Sequence, residues 1–108
     1  MRPSTRLRIT LLSLCTATVS LAQAQDASPS LAVRSLASSC AQCHGTDGRP
    51  VAGSIVPALA GLAGPVLIER LAAFKAGTRP ATVMAQIARG YSEAQIRELA
   101  AYFAMQSR

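Results

Sequence analysis

Cys40-Ala41-Gln42-Cys43-His44 decides how this chain is read. The spacing C-x-x-C-H is the pattern by which a polypeptide is joined to haem. Two thiols three positions apart, on a helical turn, can each add to one vinyl group of the same porphyrin. The adjacent imidazole then supplies a proximal nitrogen ligand. The same residues permit other readings. Half of a zinc site needs a second pair of ligands, and the remaining candidates are few: Cys15 is the one other cysteine and His44 the one histidine. A thioredoxin-like dithiol would want a βαβ context, which does not follow. A Cys40–Cys43 disulfide would close a small, strained loop.

Upstream of the motif lies an export signal. Arg2, Arg6 and Arg8 give a positive start, residues 9–21 an apolar run, and Ala22-Gln23-Ala24 an A-x-A cleavage site. We expect a cut after Ala24, which discards Cys15 with residues 1–24. The apolar run falls short of the about 20 residues a spanning helix wants, so stable membrane insertion is not expected. The remainder, residues 25–108, is 84 residues long and reads as one small domain. A core this small needs a staple, and a covalent haem would serve. The four aromatics, Phe74, Tyr91, Tyr102 and Phe103, leave volume for a porphyrin.

The whole chain carries a net charge of +6, but three arginines belong to the leader, and residues 25–108 are near +3. The basic residues are spread singly, without interleaved aromatics, so a nucleic-acid surface is not supported.

Along residues 25–108, Ser28 and Pro29 read as cap and first turn of a helix that runs into Cys40. Gly45 to Pro50 is turn chemistry, with Gly45 and Gly48 expected to let backbone pass close to the haem plane. Residues 53–64 read as irregular. Within them the Pro57 carbonyl is the candidate acceptor for the second ring nitrogen of His44, and Leu59 a candidate apolar contact to the porphyrin. Pro65 and Gly77 bound a second helix, with Leu67, Ile68, Leu71, Ala72 and Phe74 as its apolar stripe. Glu69, Arg70 and Lys75 are expected to face water, and the helix to do packing only. Pro80 is expected to open a short helix ending near Gly90, with Val83, Met84, Ile87 and Ala88 inward. Ser92-Glu93-Ala94-Gln95 is a capping box, and Ile96, Leu99, Ala100 and Phe103 recur at helical spacing behind it. No strand-period segment occurs.

A methionine on an apolar helical face is usually core filling. A haem held by one histidine, however, needs a sixth ligand or an open position. Met1 falls in the leader, and Met105 lies off the stripe of the last helix. Met84, 40 residues after His44, is left as the distal ligand.

With the C-x-x-C-H motif, the Pro57-Ala58-Leu59-Ala60-Gly61 loop and Met84, the chain resembles the class I c-type cytochromes over nearly all of residues 25–108. The stretch from Phe74-Lys75-Ala76-Gly77, through Met84 and Gly90-Tyr91-Ser92, to Tyr102-Phe103 is similar to the haem subunits of flavocytochrome c sulfide dehydrogenases. The resemblance implies an all-α, monohaem cytochrome c-like domain with crossing N- and C-terminal helices. It implies one haem c on Cys40 and Cys43, with His44 and Met84 as iron ligands and Pro57 orienting His44. It implies single-electron transfer in the periplasm, with a sulfide-oxidising flavoprotein subunit as partner, and no catalysis by this chain alone. A free periplasmic electron carrier is the alternative. A peroxidase or gas-binding protein with an open sixth position is a further one. Some members of that subunit family carry two haem domains, whereas this sequence has one motif.

Overall fold

The computed structural model describes residues 28–108. The expected leader, its cut after Ala24 and Cys15 lie outside the described residues. Within them the chain forms four helices and no strand: α1 (Leu31–His44), α2 (Gly64–Ala76), α3 (Met84–Arg89) and α4 (Glu93–Ala104), with a 3₁₀ turn at Thr46–Gly48. None of these helices is long and apolar enough to cross a membrane.

The last helix forms for local reasons. The Ser92 hydroxyl accepts from the Gln95 N–H at 3.2 Å, and the Gln95 side chain accepts from the Ser92 N–H at 2.9 Å. Two otherwise orphaned donors are satisfied. Behind this box Ile96, Leu99, Ala100 and Phe103 are each no more than 2% exposed. Burying side chains of this size stabilises by about 1.5–3 kcal/mol each for the larger ones. They form the core with Ala37 of α1, Leu67 and Leu71 of α2, Ala88 of α3 and Tyr102. The N- and C-terminal helices pack on one another, and α2 packs on α3 and α4.

The boundaries differ from expectation at two places. Ser30, not Ser28, caps α1: its extended backbone stops the helix, and its hydroxyl accepts from the Val33 N–H at 3.2 Å. Pro29 therefore precedes the cap. Pro80 does not open α3, which begins at Met84. Residues 81–83 instead form an irregular bend that borders the cavity. By contrast α2 ends as expected, on Gly77 in the left-handed region, φ 76°.

Candidate functional site

α1 carries the C-x-x-C-H motif on its last turn, so Cys40, Cys43 and His44 are positioned by helix rather than by loop. His44 is buried. Its Nδ1 lies 2.7 Å from the Pro57 carbonyl oxygen. A carbonyl only accepts, so Nδ1 donates and carries the ring proton. Nε2 then presents a lone pair, the tautomer a metal ligand needs.

The loop that brings Pro57 here is held by backbone bonds. Leu59 and Ala60 both donate to the Gly48 carbonyl, at 2.9 and 3.1 Å, and Gly61 donates to the Phe103 carbonyl at 2.9 Å. Gly48, at φ +78°, permits this approach: a Cβ there would lie 2.7 Å from the Leu59 Cβ and 2.8 Å from the Ala60 nitrogen. A Cβ on Gly45 would meet the Arg49 carbonyl. The two glycines thus serve loop-on-loop packing and do not line the cavity, contrary to expectation. Asp47, between them, accepts from the buried Tyr102 hydroxyl and pairs with Arg49 at 3.5 Å. That bond, with burial and the Asp47 charge, raises the Tyr102 pKa above its ordinary value.

Cys40, Cys43, His44, Pro57, Leu59 and Met84 all line one cavity of about 470 Å³, within the roughly 300–1,000 Å³ usual for ligand sites. Val56, Leu62, Leu67, Leu71, Phe74, Leu99 and Phe103 make its wall apolar. Ile55, Val83 and Ile87 also line it, although 99%, 58% and 37% of their surface stays exposed in the polypeptide alone. Among the described residues no group of three or more His, Cys, Asp or Glu is placed to hold a metal ion directly. Cys40 and Cys43 are both free. Burial pushes the Cys40 thiol pKa up, against hydrogen bonding by Ser39 and Tyr91, which lowers it.

This chemistry fits haem. An apolar slot takes a flat apolar ring, two free thiols stand beside it, and a lone pair and a thioether share its walls. Cys40, Cys43, His44 and Met84 would hold the group.

Several residues at the site carried no chemistry in the sequence reading. Tyr91 lines the cavity and reaches Ser39 Oγ at 2.7 Å. Ser39 spends its own proton on the Leu36 carbonyl, so the phenol donates. Lys75 does not simply face water: its Nζ donates to the Tyr91 carbonyl at 2.7 Å and pairs with Glu93 at 3.1 Å. Helix α2 is more than packing, since Arg70 and Phe74 line the cavity, and Arg79 beyond it does too. The periodicity of α2 places Arg70 at the border of the apolar stripe but does not say whether that border meets water or a cavity.

The cytochrome c family model matches residues 32–106. The chain is 41% identical, over 63% of its length and 60% of the relative, to a cytochrome subunit of sulfide dehydrogenase from Chlorobaculum tepidum. It is 37% identical, over 62% of its length and 83% of the relative, to cytochrome c-554(548) of Halomonas halodenitrificans. It is 42% identical, over 62% of its length and 31% of the relative, to a thiosulfate dehydrogenase electron acceptor of Thiomonas intermedia. The chain thus spans less than two thirds of the sulfide dehydrogenase subunit, and about a third of the thiosulfate one. With the motif, the free thiols and the apolar cavity in one place, the chain belongs to the cytochrome c family, and haem c is its covalent cofactor.

Proposed function

We propose that the chain is a one-electron carrier in which His44 and Met84 ligate the haem iron. The observation that carries this is the His44–Pro57 bond, which leaves Nε2 as the free lone pair on a cavity that Met84 also lines. Haem c, when bound, supplies a one-electron iron couple. The chain's part is to hold both ligands, so that no position stays open for oxygen or substrate, and to exclude water with its apolar wall. Pro57 orients His44, and Leu59 packs beside the ring. Such a chain moves electrons and catalyses nothing by itself.

The partner we infer is a sulfide-oxidising flavoprotein, outside the cytoplasm. Its support is the likeness to a sulfide dehydrogenase cytochrome subunit. A flavin that takes two electrons from sulfide must release them singly, and a one-electron acceptor held close by receives them in turn. Such a subunit needs a stable interface, roughly 1,200–2,000 Å² in total. The export signal over residues 1–24, with the cut after Ala24, supports a periplasmic location.

The second reading, a freely diffusing carrier, is favoured by the match to cytochrome c-554(548), of which the chain covers 83%. Native purification separates the two. A subunit co-purifies with a flavoprotein in physiological salt, and sulfide produces the reduced haem spectrum only when that flavoprotein is present. A monomer in every preparation, unreduced by sulfide with any flavoprotein, leaves the free carrier. Intact mass on the same sample should give a polypeptide starting at Gln25 plus one haem. Retention of Met1 would refute the cleaved leader.

A further inference from the structure

The segment that carries Met84 is thinly bonded to the rest of the chain. Its approach, from Ala76 to Val83, is exposed, and α3 has no side-chain cap. Packing on α2 places that helix, with Ala88 fully buried one turn after Met84. Among the described residues, the hydrogen bonds that tie residues 80–91 to another helix both end on Tyr91. The Tyr91 phenol donates to Ser39 Oγ on α1 at 2.7 Å, across 52 positions of sequence. The Tyr91 carbonyl accepts from Lys75 Nζ on α2 at 2.7 Å, and Glu93 in turn holds Lys75 at 3.1 Å. The Tyr91 N–H donates to the Ala88 carbonyl at 3.3 Å, so Tyr91 continues directly from the end of α3. Ser39 and Tyr91 both line the cavity, and Ser39 directly precedes Cys40.

We propose that Tyr91 is a positioning residue for the sixth ligand: its two bonds latch the end of α3 to α1 and α2 and so keep Met84 at the iron. The proposal rests on the reading of Met84 as an iron ligand. A six-residue helix resists unwinding weakly by itself, and local openings concentrate where few contacts hold a segment. A latch at the far end of α3 adds a bond that such an opening must break. It also joins the segment of Met84 to the helix that carries both thiols and His44. Tyr102 supplies an internal control. Its phenol makes a comparable bond, to Asp47, but ties α4 to the turn after His44 and lies outside the cavity of Met84.

The test follows how often Met84 leaves the iron. The ferrous haem-loaded protein is mixed with carbon monoxide at rising concentration, and the uptake rate levels off at the rate of methionine release. Tyr91→Phe and Ser39→Ala should each raise that plateau by roughly three- to tenfold, the net worth of one hydrogen bond expressed as a rate. The double variant should do no more than either alone, because both remove the same bond. Tyr102→Phe should leave the plateau unchanged, although its denaturant midpoint falls as that of Tyr91→Phe does. An unchanged plateau in Tyr91→Phe would show that Met84 leaves by side-chain rotation alone, and overturns the latch. An equal rise in Tyr102→Phe would show general loosening, and overturns the positioning role. Additive rises in the double variant overturn Ser39 as the partner. Immediate uptake by the unmodified protein overturns the Met84 reading and the latch with it, whereas slow uptake by the unmodified protein and Tyr91→Phe alike overturns the latch alone.

Discussion

The two segments that bring His44 and Met84 to the cavity are built differently. The His44 wall is a helix end locked onto a loop. The Pro57 carbonyl fixes the ring, Gly48 takes two N–H bonds from Leu59 and Ala60, and Gly61 ties the loop to Phe103. The Met84 wall has no such lock. Its helix, α3, has six residues and no side-chain cap, and Val83 before it is more than half exposed. What holds that wall lies at its ends: Thr78 and Arg79 donate to the Ala73 carbonyl, and Lys75 and Ser39 meet Tyr91. The difference teaches that His44 is positioned by hydrogen bonds of the polypeptide, whereas the Met84 segment is positioned by packing, with Ala88 buried and α3 set against α2. Short helices gain little stability alone, and local openings concentrate where few buried contacts resist them.

The largest stability effect expected from a single change falls on the locked wall. Gly48→Ala forces a Cβ against the Leu59 side chain and the Ala60 backbone, at a positive φ. It should cost about 2–4 kcal/mol by strain and overpacking combined. Gly53→Ala has a similar φ, +80°, but nothing within 4 Å of the added carbon, and should cost only about 1 kcal/mol. Denaturant midpoints of the two haem-loaded variants measure the gap. Equal costs would show that the loop is not locked through Gly48.

A smaller effect is expected at Tyr102, which ties α4 to the turn after His44. Tyr102→Phe removes one hydrogen bond to Asp47 and should cost about 1 kcal/mol near neutral pH. Its pH dependence has a definite sign. The phenol's pKa is raised in the folded protein, against about 10 in the unfolded chain. Its contribution is therefore fully present below pH of about 10 and is lost as pH rises through the folded value. The stability gap between wild type and Tyr102→Phe should close in alkaline solution. A gap that widens there would contradict the assigned donor.

The same contrast governs how much the sequence revealed. α4 was legible because its cap and its stripe are encoded within a dozen neighbouring residues, and the helix starts where that code places it. The C-x-x-C-H motif and the second helix's Gly77 stop were legible for the same reason. Pro57 was reachable only through chemistry, since a ligating histidine wants an acceptor behind it. Arg70, Arg79 and Tyr91 were not reachable, because their roles depend on segments distant in sequence meeting at one cavity. The start of α3 was misplaced at Pro80 because proline favours a first turn locally, whereas residues 81–83 form an irregular bend beside the cavity and the helix begins only at Met84.

The claim that joins both walls is that Met84 completes the iron's coordination opposite His44. Carbon monoxide added to the ferrous protein tests it most directly. Wild type should resist binding, Met84→Ala should bind at once and show a lowered midpoint potential, and Met105→Ala, at an exposed methionine outside the cavity, should behave as wild type. Carbon monoxide binding to the unmodified protein as readily as to Met84→Ala would contradict the account.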